Sequence, residues 1–219
     1  MSLWIKICGT TTLPDAELAV DAGADAIGFV FAASPRRVTP EQVAAITSRL
    51  PQTVEKIGVF SEMAIDEIAS AVLTSGLSGV QLHFDAAPLL TAQLRDRFGG
   101  SLRVVRVVRF KTESPATALE LLDDPSADAI LVDSCSKTGA GGTGIAYDWD
   151  LAAETIFRTG ASRKFIAAGG LNDANIAAAI ARLRPWGVDV ATGVESAPGR
   201  KDPAKIRAFI AGARAAAGK

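Results

Sequence analysis

The chain has 219 residues, 48% of them hydrophobic and 21% charged, which supplies a sizeable core and excludes an intrinsically disordered polypeptide. Its 23 basic and 24 acidic residues leave a net charge of −1, so broad attraction to nucleic acid or to an anionic membrane is excluded and a small-molecule partner is favoured. Two cysteines and one histidine build neither a disulfide framework nor a zinc cluster, and with no signal peptide or membrane-spanning apolar run the expectation is a cytoplasmic protein with metal-free chemistry.

Short β-branched runs alternate with alanine-rich stretches from end to end. The predicted strands are 3–8 (LWIKIC), 25–31 (DAIGFVF), 54–60 (VEKIGVF), 78–83 (SGVQLH), 102–108 (LRVVRVV), 128–133 (DAILVD), 163–168 (RKFIAA) and 188–192 (VDVAT). Helices are expected over 40–50, 62–74 and 173–183, with Pro40 and Asn172 as start signals, and the alanine-rich tail 208–217 reads as a last helix. Eight βα units in 219 residues are about 27 residues each, near the lower size limit of a closed (β/α)8 TIM barrel, and that leaves residues 1–219 as a single α/β domain. The echo of GADAIG (23–28) in SADAIL (126–131), four units apart, supports repetition, while a doubly wound open sheet is the alternative.

In a barrel, catalytic groups sit at strand C-termini, whereas strand entrances carry residues that stabilise. Asp25, Asp128 and Asp189 fall at entrances, where caps and loop hydrogen bonds are their ordinary work. Cys8, His83 and Asp133 fall at exits. Cys8 is either a small core residue or a base, and as a base it needs a cation, a helix terminus or a bound substrate to lower its pKa. Asp133 ends the run AILVD, where a carboxylate is costly to bury; it either bonds the following loop or, with its pKa raised at a shielded barrel mouth, serves as a general acid. By alternation Lys6 points the same way as Cys8, two residues deeper, and needs a partner, for which Asp189 is the candidate.

The loops after the strands carry a second set of signals. CSKTGAGGTG (135–144), which includes Gly142 and Gly144, reads as a flexible connection or a lid; it does not match the P-loop lysine motif, and no dinucleotide fingerprint follows the first strand. Glycine turns after the seventh and eighth strands, containing Gly169, Gly170, Gly193 and Val194, occupy the places where barrels hold a phosphate through backbone N–H groups. Arg36 and Arg37 follow the second strand, either as solvated surface or as a fork for a substrate carboxylate. His83 is either structural or a ligand contact.

Taken together, KICGTTT (6–12), GADAIGFVF (23–31), SPRRVTPEQ (34–42), GVF (58–60), GVQLH (79–83), LVDS with GGTG and YDW (131–149), AGGL (168–171) and GVDVATGVESAPGRKDPAKI (187–206) resemble the phosphoribosylanthranilate isomerase family of tryptophan biosynthesis. The stretches lie in order over nearly the whole chain, and the sequence departs from the family's usual residues at Arg37, Phe84 and Thr192. The resemblance implies an Amadori rearrangement of N-(5-phosphoribosyl)anthranilate to the 1-amino-1-deoxyribulose 5-phosphate, without metal or organic cofactor. It further implies Cys8 as general base, Asp133 as general acid, Arg36 against the anthranilate carboxylate, His83, Gly142 and Gly144 at the substrate, and Gly169, Gly170, Gly193 and Val194 at the phosphate. As a monomer or a homodimer the chain would need no macromolecular partner for this chemistry. A histidine-pathway isomerase would favour aspartate where Cys8 stands, indole-glycerol-phosphate synthase would want a lysine set not found at the strand ends, and a mere binding module would need neither Cys8 nor Asp133.

Overall fold

The computed structural model of the chain describes residues 2–61, 63–82, 88–110, 124–134, 148–158 and 163–218. Eight parallel strands close into a barrel in the order of the chain: β1 (Trp4–Ile7), β2 (Ala26–Val30), β3 (Glu55–Phe60), β4 (Gly79–Leu82), β5 (Arg103–Phe110), β6 (Ala129–Ser134), β7 (Phe165–Ala167) and β8 (Gly187–Val190). Closure is the pairing of β1 with β8, in which Trp4, Ile5, Lys6 and Ile7 lie opposite Gly187, Val188, Asp189 and Val190. The open doubly wound alternative is thereby excluded. All eight strands agree with the predicted spans to within two residues at each end, β5 running two residues further, to Phe110.

The described helices are α1 (Leu13–Asp21), α2 (Pro40–Thr47), α3 (Ile65–Ser75), α4 (Pro88–Phe98), α5 (Trp149–Ala152), α6 (Ile176–Leu183) and α7 (Pro203–Ala217). Their starts follow from local chemistry. Thr39 Oγ1 accepts from Gln42 N while the Gln42 side chain accepts from Thr39 N, a reciprocal capping box ahead of Pro40, and Asp202 caps α7 by accepting from the N–H groups of Ala204 and Lys205. At α6 the expected start is displaced: Asn172 Oδ1 accepts from Ala174 N and Asn175 N, which folds residues 172–175 into a turn, and the helix proper begins at Ile176. A short antiparallel hairpin, β9 (Glu195–Ala197) with β10 (Arg200–Lys201), follows β8. Among the described residues no helix is long and apolar enough to cross a membrane.

Alternation divides each strand between two cores. Ile5, Ile7, Ile27, Phe29, Val188 and Val190 face the helices in the large outer cluster. Trp4, Ala26, Ile57, Val105, Val107, Ala129, Leu131, Ile166 and Ala168 fill the barrel interior. Side chains of this size contribute about 1.5–3 kcal/mol each when fully buried, so both cores fix strand register, since a one-residue slip would exchange them. The floor is closed by the stacked rings of Trp4 and Trp186, 5.3 Å apart, with Arg103 lying over Trp186 and its fork on Glu55. Asp25 and Asp128 sit at strand entrances as expected, accepting from the N–H groups of Ile5 and Val104 and pairing with Arg214 and Arg95. Asp189 departs from the expected position: because β8 begins at Gly187, Asp189 is inside the strand and within the barrel.

Candidate active site

The parity that places Trp4 in the interior also turns Lys6 and Cys8 inward, and the parity of Ala129 and Leu131 turns Asp133 inward. Cys8 follows the last residue of β1, at the strand's C-terminal end, and its N–H donates to the Val190 carbonyl at 2.8 Å. Asp133 is the penultimate residue of β6. Both are nearly buried, at 7% and 8% exposure, and both belong to the rim at which all eight strands end. Burial pushes the Cys8 thiol above its ordinary range; the ammonium groups of Lys6 and Lys201 pull against that, and the Asp189 carboxylate adds to it.

Around Cys8 lies a network of charges. Glu195 accepts from Arg36 through two parallel bonds, Nε to Oε1 at 2.8 Å and NH2 to Oε2 at 2.6 Å. The same Oε1 accepts from Lys201 Nζ and from Gly199 N, each at 3.2 Å. Lys201, 3% exposed, also donates to the carbonyls of Cys8 and Ala191. Burial raises the cost of ionising Glu195, but the guanidinium of Arg36 and the ammonium of Lys201 outweigh it and hold the carboxyl below its usual range. For Lys201 burial wins, and its ammonium is pushed below the ordinary lysine value. Arg36 reaches this position by passing over Gly9, which has φ +73°; a Cβ there would stand 2.5 Å from Arg36 Cδ.

The two neighbouring arginines part company. Arg36 belongs to the mouth, its fork on Glu195 and a further NH2 bond to Thr192 Oγ1 at 3.2 Å. Arg37 lines a cleft of about 840 Å³ on the outside of the barrel, between α2 and α3, with Thr39, Gln42, Asp66 and Glu67. Nothing about the pair RR in the sequence distinguishes the two; the turn at 34–37, where Arg37 N donates to Ser34 O, does.

The glycine turns after β7 and β8 form one continuous surface. Gly169 and Gly170 have φ of +80° and +69°, and a Cβ on Gly169 would meet Asp133 Oδ1 at 2.7 Å and Ser134 N at 2.5 Å. Among the described residues, no acceptor takes the backbone N–H of Gly169 or Gly170. The short 3-10 turn Thr192–Val194 presses on the β7 loop so closely that a Cβ on Gly193 would lie 2.0 Å from the Leu171 carbonyl. Val194 buries its side chain completely and offers only backbone, its N–H reaching Ala191 O at 3.4 Å. The structure therefore brings Cys8, Arg36, Asp133, Gly169, Gly170, Gly193 and Val194 to one rim. His83, Gly142 and Gly144 lie outside the described residues.

Glu195 and Lys201 escape a reading by motif and strand position. They stand within GVESAPGRK (193–201), but their meaning depends on Arg36, 159 positions away from Glu195, and on the carbonyl of Cys8. Only the run of charges around a Gly-containing hairpin hints at them.

Comparison with known proteins gives the chain's family and fold. The family model described as N-(5'phosphoribosyl)anthranilate (PRA) isomerase matches residues 5–212. The N-(5'-phosphoribosyl)anthranilate isomerase of Pelobacter propionicus is 46% identical over 207 residues, covering 94% of this chain and 93% of the relative. A crystal structure of phosphoribosyl anthranilate isomerase from Thermotoga maritima matches with a TM-score of 0.85 at 34% identity, covering 97% of this chain and 99% of that one. A further crystal structure, of a phosphoribosyl anthranilate isomerase in complex with reduced 1-(o-carboxyphenylamino)-1-deoxyribulose 5-phosphate, matches with a TM-score of 0.83 at 33% identity over 97% of this chain and 99% of that one.

Proposed function

The chain belongs to the N-(5'-phosphoribosyl)anthranilate isomerase family and is an isomerase of that substrate, and from this premise we propose that Cys8 and Asp133 are the two proton-transfer groups of its Amadori rearrangement. The observation that carries the assignment is the shared rim: a thiol from β1 and a carboxyl from β6, both inward and both at the C-terminal ends of strands of one closed barrel. Strands β1 and β6 are not neighbours, since β7 and β8 lie between them on the shorter path. Groups so placed approach one sugar from two sides, which suits a reaction that delivers one proton and removes another.

In the proposed sequence, protonated Asp133 gives its proton to the furanose ring oxygen. The C1–O bond breaks as the anilino nitrogen lone pair forms C=N, and the ring opens to an iminium. The Cys8 thiolate then takes the proton from C2; the C2–H electrons form a C1–C2 double bond, and the C=N electrons return to nitrogen. The resulting enolamine tautomerises to the ketone as C1 takes up one proton and the C2 hydroxyl releases another, and loss of one proton from the Cys8 thiol with gain of one by the Asp133 carboxylate resets the site. Backbone N–H groups of Gly169, Gly170, Gly193 and Val194 hold the phosphate, because the positive φ values and the contact of the two loops leave room for main chain to approach an anion. Arg36 meets the anthranilate carboxylate: its bonds to Glu195 use Nε and NH2 and fix the plane of the guanidinium while NH1 lies outside that pair.

The test is turnover of phosphoribosylanthranilate, followed through loss of its fluorescence. Cys8→Ala and Asp133→Asn are each expected to lower kcat about a hundred- to ten-thousand-fold, with affinity for the reduced product analogue kept within about threefold. Retention of most of the turnover by either variant removes that residue from its role.

A further inference from the structure

Directly beneath the thiol the barrel buries an ion pair. Lys6, 1% exposed, donates from Nζ to Asp189 Oδ1 at 2.9 Å and to Gln81 Oε1 at 2.8 Å. An apolar layer of the same volume would serve stability as well or better, because a buried ion pair regains little more than its desolvation cost. Around it the interior cluster, which includes Ala26, Ile57, Val105, Ala129 and Ile166, is apolar. The polar exception lies where Cys8 is. A Cβ built on Gly28 of β2 would stand 2.8 Å from Cys8 Sγ and 2.9 Å from Lys6 Cε, so the sulfur and the end of the lysine stem converge on one point, over a residue with no side chain to separate them.

The charges facing Cys8 come from every element packed against it. Lys6 comes from β1 itself and Asp189 from β8; Lys201 comes from β10 and Glu195 from β9; Arg36 crosses Gly9 from the loop after β2. Asp133 faces the mouth from β6. The network joined to Cys8 thus holds three cations (Lys6, Lys201, Arg36) and two carboxylates (Asp189, Glu195). It is one anion short, and a thiolate at Cys8 supplies that anion.

We propose that the buried Lys6–Asp189 pair is a positioning unit for Cys8, in which the Lys6 ammonium is the fixed counterion of the thiolate and Asp189 and Gln81 hold it in place. The proposal rests on the reading of Cys8 as base. Burial alone drives the thiol toward its neutral form, and Lys6 is the foremost group opposing that drive. Asp189 has two effects of opposite sign: it anchors the ammonium, and its own charge disfavours a second anion nearby.

Those signs provide the test. The pH dependence of iodoacetamide alkylation at Cys8 is measured by peptide mass spectrometry, which separates it from Cys135, with helical circular dichroism as the check on folding. Lys6→Met is expected to raise the alkylation midpoint by about one pH unit or more, and Asp189→Asn to lower it. Where either single variant fails to fold, the charge-neutral Lys6→Met/Asp189→Asn enzyme is used, with an upward shift expected because Lys6 acts on the thiol more strongly than Asp189 does. In this double variant kcat at neutral pH falls by at least about tenfold, KM stays within about threefold, and the pH–rate profile moves with the alkylation midpoint. A midpoint unchanged in folded variants, or moved in the same direction by both single substitutions, overturns the proposal. Failure of the base assignment is a separate result: Cys8→Ala would keep its turnover, while the alkylation shifts of the Lys6 variants in the Cys8-containing enzyme would still be read.

Discussion

The floor and the mouth of this barrel are built from the same strands and solve opposite problems. At the floor, Trp4 and Trp186 stack, Arg103 and Lys164 lie over the Trp186 ring, and the Arg103 fork closes on Glu55. Charge there is compensated at the protein's edge and the interior beyond it is apolar. At the mouth, ammonium, guanidinium and carboxylate groups are drawn inward around a thiol, three of the turns, at Gly9, Gly169–Gly170 and Gly199, take glycine with positive φ, and backbone stands where side chains would ordinarily pack. The floor spends its residues on closure and the mouth on chemistry, so substitutions at the two ends should separate stability from turnover.

The largest expected separation is between Cys8→Ala and Trp4→Ala. The first is expected to lower turnover as described and to leave the fold intact. The second removes a ring from the interior cluster and is expected to cost about 3–5 kcal/mol in denaturant unfolding, while the fraction that remains folded keeps kcat. Gly169→Ala comes next. Its Cβ has no space beside the Asp133 carboxylate and φ of +80° strains any side chain, so stability falls by about 1–2 kcal/mol and turnover by at least about tenfold, the latter because the acid itself is displaced. Glu195→Gln removes the anion shared by Arg36 and Lys201 and is expected to cost about 1–3 kcal/mol.

The same carboxyl sets an acid limit. Its folded-state pKa lies below the ordinary value, so its contribution is present above about pH 4.3 and is lost as pH falls through the folded value; thermal melts of Glu195→Gln should lack that part of the acid slope. Cys8 has the opposite sign. Its raised pKa means that folding favours the thiol, so the pH midpoint for alkylation of Cys8 by iodoacetamide should lie above about 8.5, the ordinary thiol value. The smallest effect is expected at Arg37→Ala, in the outer cleft: within about 0.5 kcal/mol in stability and about twofold in turnover, against a much larger loss for Arg36→Ala.

The eight strands were legible in the sequence because each buries a β-branched run and each is followed by turn or cap chemistry that is local. The inward direction of Cys8 and its pairing of Lys6 with Asp189 were also within reach, since alternation needs only the strand itself and the barrel needs β1 beside β8. What was not legible depends on contacts between distant segments. The α6 start shifts because Asn172 satisfies two N–H groups in a turn before the helix begins. Arg36 and Arg37 are separated by loop geometry rather than by period, and Glu195 and Lys201 acquire their places only when the hairpin after β8 folds back over the end of β1.

The central claim concerns which atom loses its proton to which group, and the release of deuterium from substrate labelled at ribose C2 measures it most directly. Wild-type enzyme is expected to transfer the label to solvent as product forms, whereas Cys8→Ala, binding the product analogue within about threefold of wild type, releases it at least about a hundredfold more slowly. Release by Cys8→Ala at a rate close to that of the wild type would contradict the account.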